Sequence, residues 1–415
     1  MSKQTAEAPV EAGPELPIDA VLLGAALVLG AASGAVAALT YWAMLTLQHG
    51  IWSTAGESRW AILPLCLAGG ALIGWTRLMA AGPDLEAQIT RARDPASVYP
   101  RETGWVALGA VFAVGFGGAI GPEAGIIAVT AQLSSIVALR LRRSATDRRL
   151  LAEAGMAGAL SGFYASPAGG SVHAESEARL PRPLVLAAGA AGFAAFVLVA
   201  ETLLPGALET MRLPRLTADT GQWDAVVALV AGLSGALAGA GYLLAKTAWA
   251  RALDFGSRAR FWQPVAGGLA LGLLCTAAPI LLFSGHEEMR EMLRLGAVHG
   301  PELLVLLALG KALACALCTG AHWQGGVVFP MCFAGGATGA ATLALFPGLD
   351  PVTGVAAGMA AASAVGVTRP VVAGLMLLFV LGGALAVPVF VGALAGWAVL
   401  RALPQSLVES ARGGH

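Results

Sequence analysis

The chain has 415 residues, of which 57% are hydrophobic and 12% are charged, and its formal net charge is zero. That charged share is about half the value of an ordinary soluble domain. The composition therefore excludes a conventional water-soluble fold, and the zero net charge removes any case for nucleic acid as a partner. We predict an all-α, polytopic membrane protein whose surroundings are the lipid bilayer.

Apolar stretches long enough to span about 30 Å of hydrocarbon recur along the whole chain. Residues 1–17 precede them and lack the features of a secretory signal, so they are predicted to form a cytoplasmic tail. The 55 glycines and 22 prolines interrupt other apolar runs, which predicts many tilted helices and helices that stop inside the membrane. The clearest spans are Ala20 to Met44, Ala61 to Leu78, Leu184 to Ala207, Ala225 to Ala245, Val265 to Phe283, Leu303 to Cys318 and Val371 to Leu400.

Basic residues gather in three loops, which the positive-inside bias places in the cytoplasm. With these loops inside, both termini are predicted to be cytoplasmic in a multi-pass protein of the inner (plasma) membrane. The three groups are Arg140, Arg142, Arg143, Arg148 and Arg149; Lys246, Arg251, Arg258 and Arg260; and Arg179 with Arg182.

The five cysteines, Cys66, Cys275, Cys315, Cys318 and Cys332, all lie in apolar surroundings. They form no paired framework, so we expect no disulfides. Cys315 and Cys318 form a CxxC, but no histidine or second CxxC lies at ligand spacing. We read them as two small hydrophobic residues on one helix and predict neither a metal site nor a cofactor.

An internal repeat relates the two halves of the chain. The segment Ala154 to Ala157 recurs as Ala357 to Ala360, and a proline follows each methionine by eleven residues. Upstream, Phe116 to Pro122 parallels Gln324 to Pro330 at nearly the same offset. Ordered matches at a nearly constant offset predict a duplicated unit, as in many transporters. The predicted divisions are a first half at 18–205, a linker at 206–222, a second half at 223–403 and a short C-terminal tail at 404–415.

Each half places glycines and then a proline before a run of helix formers, at Gly121-Pro122-Glu123 and at Phe329-Pro330-Met331. Proline suits the first turn of a helix, and glycine lets backbone amides approach an ion closely. A helix that begins at membrane depth presents free N–H groups and a positive dipole end to an anion. The alternative is that these glycines and prolines only kink helices for packing.

The sequence resembles the CLC family of chloride channels and transporters from about Ile18 to Leu403. That family carries three segments written GSGIP, GxEGP and GxFxP. The second resembles Gly118 to Pro122, the third resembles Gly326 to Pro330, and the first corresponds to Ala80 to Asp84. Lys311 stands where the family tends to hold a basic residue, and Ser284 to Glu288 is similar to its short re-entrant helix.

The resemblance implies a CLC-like inverted repeat of about 16 to 18 tilted and half-spanning membrane helices. It also implies a homodimer in which each subunit has its own pathway for a small inorganic anion, chloride by family default. A transporter for another anion, such as bicarbonate, fluoride or nitrate, without proton coupling is the alternative. The resemblance implies transport rather than enzymatic catalysis.

Departures from the family pattern affect the expected ligands. The family's glutamate before Gly-Pro is replaced by Ile120, its serine by Ala80 or Ala81, and no tyrosine follows Tyr242. Backbone N–H groups around Ala119, Ile120, Gly121, Val327 and Val328 are therefore expected to bind the anion. The full predicted anion site comprises Gly118, Ala119, Ile120, Gly121, Pro122, Gly326, Val327, Val328, Phe329 and Pro330, with Ala80 and Ala81.

Ionisable residues in apolar surroundings are functional candidates. Glu123, on the first turn of a helix, either competes with the anion as a gate or only caps the helix. The family's internal proton-accepting glutamate aligns with Ser176, so its neighbour Glu175 either transfers protons or ends a helix in the cytoplasm. His173 and His322 are pore-mouth or structural histidines.

An intramembrane serine hydrolase is the rival from another class, because Ser161, Ser166 and His173 lie close together in the sequence. The second half has Thr368 and Arg369 near its matching proline but no histidine there. A hydrolase therefore leaves the repeat unexplained, and we disfavour it.

Overall fold

The computed structural model describes residues 20–411 except for 56–57, 81–84, 96–97, 99, 141–143, 176–181, 204–223, 255, 257–258 and 343–350. The described part contains α-helices, short 3₁₀ turns and one isolated β-bridge. Seven of its helices are long and apolar enough to cross a membrane. The predicted tail at 1–17, the linker at 206–222 and Ala81 lie outside the described residues.

The helices of the first half are α1 (Ala20–Ala55), α2 (Ile62–Met79), α3 (Leu85–Ala92), α4 (Pro100–Gly115), α5 (Glu123–Arg140), α6 (Ala145–Phe163), α7 (Pro167–Ala174) and α8 (Pro183–Leu203). Those of the second half are α9 (Asp224–Ala252), α10 (Ala259–Ala277), α11 (Met289–His299), α12 (Pro301–Gly320), α13 (Val328–Thr342), α14 (Pro351–Gly366), α15 (Pro370–Leu381), α16 (Ala386–Ala402) and α17 (Gln405–Ala411). The all-α prediction is confirmed.

Each half contains the same three-helix core, made of α1, α6 and α8 in the first half and of α9, α14 and α16 in the second. Glycines let these helices touch backbone to backbone. A side chain at Gly34 would clash with the carbonyl of Gly192, and one at Gly235 would clash with that of Gly358. Close approach through small residues stabilises helix pairs in lipid, where burial of apolar surface provides little driving force.

The repeat predicted from the sequence is also present in backbone conformation. Both α7 and α15 begin at a proline, and the residue two positions before each proline has a left-handed φ, 50° at Ala165 and 58° at Thr368. Left-handed φ is uncommon outside glycine. Finding it at equivalent positions of both halves supports a duplicated unit.

The halves meet through equivalent elements. Helix α2 packs closely against α10, its counterpart in the second half, and α7 contacts α15. The β-bridge is antiparallel and joins Gly121 to Gly326, each of which lies two residues before a helix. An antiparallel pair of residues that hold the same place before matching helices is what a local two-fold axis generates. The arrangement is that of an inverted repeat.

Several predicted boundaries were wrong. The span Val371 to Leu400 is two helices, because Gly382 has a φ of 88° and ends α15 before α16 begins. The span Val265 to Phe283 stops being α-helical at Ala277. Helix α13, by contrast, begins at Val328 and has Pro330 within its first turn, as the sequence predicted. The C-terminal tail at 404–415 stays a prediction, and within it residues 405–411 form helix α17.

Candidate anion site

Two hydrogen bonds hold the N-termini of α5 and α13 side by side. The N–H of Gly121 donates to the carbonyl of Gly326 at 2.8 Å, and the N–H of Gly326 donates to the carbonyl of Gly121 at 3.0 Å. The chain reaches this bridge from α4 through a turn at Gly117, whose φ of 88° favours glycine. Both helices thus point their positive ends to one place.

The predicted amide ligands are only partly available. The N–H of Gly121 is used by the bridge, and that of Ala119 faces the thiol of Cys318. Among the described residues, the N–H groups of Ile120, Val327 and Val328 donate to no protein acceptor. These three are the donors of the predicted set that the protein's own acceptors leave available.

The carboxylate of Glu123 lies in the bridge itself. Its side chain is fully buried, and neither oxygen has a hydrogen-bond partner of ordinary geometry among the described residues. The backbone N–H groups of Glu123 itself and of Gly326 interact with it more weakly. A side chain at Gly121 or at Gly326 would clash with this carboxyl group, so the carboxyl group occupies space that only glycine at these two positions leaves open. A carboxyl group thus already occupies the junction of the two helix ends.

A second layer of polar contacts fixes the start of α13. The hydroxyl of Ser363 on α14 donates to the carbonyl of Val328 at 3.4 Å and lies 3.2 Å from the thiol of Cys332. All five cysteines are buried and free. Among the described residues, no cluster of histidine, cysteine and acidic side chains could hold a metal ion.

A cavity of about 40 Å³ lies beside the bridge. Both signature segments contribute to its wall through Ile120, Pro122 and Phe329. Aromatic rings continue around it: Phe329 contacts Phe163 at 5.5 Å and His286 at 5.0 Å between centroids, both edge to face. The opposite wall is the segment from Phe283 to Glu288, without Gly285. The cavity therefore adjoins the two helix ends and carries ionisable groups.

Lys311 fixes that wall. Its fully buried ammonium donates to the carbonyls of Leu281, Leu282 and Phe283 at 3.1, 2.8 and 2.9 Å. It also lies 5.1 Å from the ring centre of Phe333. These three bonds match the three donors of an ammonium group. The sequence indicated a basic residue at this position but not its acceptors.

Glu175 lies in a network of ion pairs. Its carboxylate accepts from the backbone N–H and the Nε of Arg182, both at 3.1 Å, and Arg182 also bonds Glu153. The guanidinium of Arg369, from the second half, donates to the Glu175 carbonyl at 3.4 Å. Burial raises the pKa of the Glu175 carboxyl, and the Arg182 hydrogen bond opposes that rise. Ser176 lies outside the described residues.

The other predicted positions are separate from the bridge. The N–H of Ala80 donates to the carbonyl of Thr76 at the end of α2, and Ala80 does not line the cavity. His322 forms a turn after α12 with a φ of 61°. His173 is buried, and its Nδ1 lies 3.0 Å from the hydroxyl of Tyr164.

The two serines proposed for a hydrolase bond elsewhere. The hydroxyl of Ser161 donates to the carbonyl of Pro167 at 3.1 Å, and that of Ser166 donates to the carbonyl of Leu375 at 3.2 Å. Ser166 also caps α7 by accepting from the N–H of Gly169. A serine nucleophile needs a hydrogen bond to its base, and these contacts give the serines structural roles instead.

Comparison with known proteins identifies the family. The family model described as voltage gated chloride channel matches residues 69–401 of this chain. The chain belongs to this voltage gated chloride channel (CLC) family. It is thus a multi-pass membrane protein of a family that transports anions, whose members are transporters or channels rather than enzymes. No curated protein matches the chain.

Solved CLC structures share the fold. A slow cyanobacterial Cl⁻/H⁺ antiporter superposes with a TM-score of 0.74 at 18% identity, over 94% of this chain and 98% of that protein. A CLC-type fluoride/proton antiporter gives 0.65 at 18% identity, over 90% and 94%. A eukaryotic CLC transporter gives 0.68 at 20% identity, over 95% of this chain and 74% of that protein.

Sequence reasoning found both helix ends and Glu123 but missed the bridge and the cavity wall. The bridge pairs residues from different halves, and no local pattern encodes which glycine amides it consumes. The cavity wall had one signal in the sequence, the similarity of Ser284 to Glu288 to a short re-entrant helix of the family.

Proposed function

We propose that this CLC-family chain moves small inorganic anions, chloride first among them, along a pathway that passes the Gly121–Gly326 bridge. The observation that carries this proposal is the fully buried Glu123 carboxylate at the junction of two helix ends. A carboxylate and a halide need the same environment of backbone N–H groups and helix dipoles. A place that holds one without a paired cation suits the other.

In this proposal Glu123 is the gate. Its carboxylate competes with the transported anion for the bridge region, from a position three residues beyond Ile120. When the carboxyl group takes up a proton, it loses its negative charge and accepts hydrogen bonds from the N–H donors more weakly. The anion can then replace it. The Glu175 carboxylate is less free to move, because both the backbone N–H and the Nε of Arg182 donate to it. Proton transfer through Glu175 is therefore not part of the proposal.

Another anion, such as bicarbonate, fluoride or nitrate, without proton coupling is the second candidate. It is favoured by the two family side chains that have no counterpart here, the serine replaced by Ala80 or Ala81 and the missing tyrosine. The structural neighbours include both a Cl⁻/H⁺ antiporter and a fluoride/proton antiporter. The shared fold thus accommodates either halide.

We further propose a homodimer in the inner (plasma) membrane with both termini in the cytoplasm. Helices α15 and α16 form an apolar groove of about 670 Å³. Large side chains on them, among them Phe390 and Trp397, are exposed. Such a face suits either lipid or a second copy, and the dimer expected for the family favours the copy.

Flux measurements on the purified protein in liposomes test the proposed substrate. Efflux of chloride, fluoride, nitrate and bicarbonate is compared with efflux of potassium, each with and without a proton gradient. We expect anion efflux and no cation efflux, because positive helix ends line the pathway. Cation efflux at the same rate would contradict the proposal. A chloride gradient that moves protons uphill would reject the uncoupled alternative.

The role of Glu123 is tested by flux against pH for wild type and Glu123→Gln. We expect acidification to raise wild-type flux, and we expect Glu123→Gln to be faster at neutral pH with less pH dependence. Glu302→Gln is the matched control, because Glu302 also lies on the first turn of a helix, α12, but is exposed. If Glu123→Gln and Glu302→Gln both retain the wild-type curve, Glu123 only caps α5.

A further inference from the structure

The cavity beside the bridge has an uneven distribution of charge. Its walls from α1, α6 and the two signature segments carry no formally charged side chain among the described lining residues. All of its ionisable acid and imidazole groups come from one short segment, as His286, Glu287 and Glu288. An acidic wall facing an anion pathway works against the anion that has to pass it.

The segment that carries these groups is held rigidly. Lys311 binds the three carbonyls that precede Ser284, and Gly285 has a φ of 84°. A side chain at Gly285 would press against the Lys311 methylene group and against Phe333. The groups on this segment are therefore fixed toward the cavity by a built contact rather than carried on a free loop.

The local charge follows from these groups. Lys311 contributes a positive charge but no free donor, because its three N–H groups are used by carbonyls. Glu287 and Glu288 contribute two negative charges when ionised, so the sum is negative while His286 is neutral. A proton on His286 and one on a carboxyl group make the sum positive.

The elements packed around the segment supply further titratable groups, among them the thiols of Cys315 and Cys318 on α12. Helix α1 contributes Tyr41 and Gln48, and α10 contributes Cys275, which interacts with Lys311. Neither the phenol nor the thiol carries charge at acidic or neutral pH in ordinary surroundings. Apart from Glu123 at the bridge, the groups whose charge changes between acid and neutral pH thus lie on the segment itself.

We propose that the segment from Phe283 to Glu288 is an ionisable mouth of the anion pathway, in which protonation of His286 and Glu288 changes the sign of the local charge and admits the anion. The mouth recruits a small monovalent anion in acid and repels it at neutral pH. The proposal rests on the proposed function, since it needs an anion pathway at the bridge. It adds a second proton-sensitive element that is separate from Glu123.

The surroundings of Glu288 support this assignment. Burial raises the pKa of its carboxyl group, with Glu287 acting in the same direction and Lys311 opposing it. Imidazole is the side chain whose charge ordinarily changes between pH 5 and 8. His286 also packs edge to face on Phe329, which lies in the first turn of α13. A positive charge on the His286 ring therefore acts at short range on an anion at the start of α13.

The test measures chloride efflux from liposomes at symmetric pH values from 5 to 8 and at several chloride concentrations. The variants are Glu123→Gln alone, His286→Gln with Glu288→Gln, and all three together. The control pair is His299→Gln with Glu291→Gln, which lies on α11 outside the cavity. Each variant is also examined by thermal unfolding, so that misfolded protein is recognised.

We expect Glu123→Gln to keep a residual rise of flux in acid, about three- to tenfold between pH 8 and pH 5, that the added mouth substitutions abolish. Acid should lower the half-saturating chloride concentration and leave the maximal rate unchanged, because the mouth changes the local concentration of the anion. The control pair should keep the rise.

Two results would overturn the proposal. One is a pH profile that is the same with and without the mouth substitutions, in both the wild-type and Glu123→Gln backgrounds. The other is a change confined to the maximal rate. If the mouth variants flatten the pH profile while Glu123→Gln leaves it unchanged, the result supports the ionisable mouth and rejects Glu123 as the gate. Absence of anion flux in the folded wild type would reject the proposed function and the mouth with it.

Discussion

Replacing Gly326 with alanine should displace the Glu123 carboxylate. The backbone at Gly326 is not in the left-handed region, so alanine can adopt it without strain. The added Cβ, however, would lie 2.0 Å from the carboxyl carbon of Glu123 and 2.2 Å from each of its oxygens. The substitution therefore acts on one identified neighbour.

The size of the effect follows from that distance. Non-bonded carbon atoms need about 3.5 Å, so the carboxyl group has to move by about 1.5 Å. It is fully buried, so it has to move against packed neighbours. Overpacking of this kind costs about 1 to 3 kcal/mol. With Glu123→Ala the obstacle is gone, and the same substitution at Gly326 should cost much less.

Thermal unfolding of Gly326→Ala, Glu123→Ala and the double variant forms a mutant cycle. We expect a coupling free energy of about 1 to 3 kcal/mol, with the double variant more stable than the two single effects predict. Gly241→Ala is the control: an added Cβ there meets no neighbour, and alanine should stabilise α9 slightly. Anion flux through the same proteins shows whether displacing the carboxylate opens the pathway.

The reasoning is refuted if Gly326→Ala destabilises the protein equally with and without Glu123. That result would mean that the clash is with the bridge backbone or with another group. It would also remove the main structural support for a carboxylate at the junction of the helix ends.

Two further outcomes follow from the buried charges. Lys311→Met should lower the free energy of unfolding by about 3 kcal/mol or more, measured by thermal unfolding, because the carbonyls of Leu281, Leu282 and Phe283 lose their donor. An unchanged unfolding temperature would contradict this. Burial raises the pKa of the Glu175 carboxyl group in the folded protein. The contribution of this group to the free energy of unfolding is therefore complete at pH values below the ordinary pKa of a glutamate. It is lost as the pH rises through the raised pKa. Glu175→Gln should remove that pH-dependent part, and a stability profile that keeps its slope in this variant would contradict the reasoning.

Much of the fold could be predicted because lipid imposes strict rules. Few charges, long apolar runs and a repeat of the Ala154 to Ala157 pattern predicted a helical, duplicated membrane protein, and the family assignment agrees. Glycine followed by proline correctly indicated a helix start at Glu123. The missed break at Gly382 shows the limit, because glycine is equally common inside tightly packed helices of this chain.

The candidate site was harder to predict because it depends on contacts between the halves. The signature residues indicated helix ends, but nothing local shows that Gly121 and Gly326 bond each other. The bridge fixes which amides remain for an anion, Ile120 and Val327 among them. Likewise, the acceptors of Lys311 lie about thirty residues earlier in the chain.

The Gly121–Gly326 bridge also sets the order in which this protein can mature. As the chain is synthesised, α5 is complete long before the carbonyl of Gly326 exists, so the start of α5 enters the membrane with its bridging N–H unpaired. Long-range pairings of this kind form late, after their intervening segments have been inserted. Closure of the bridge therefore has to wait until both halves have been synthesised. A nascent chain arrested before α13 contains most of the described helices but lacks one side of the bridge, and with it the proposed anion site.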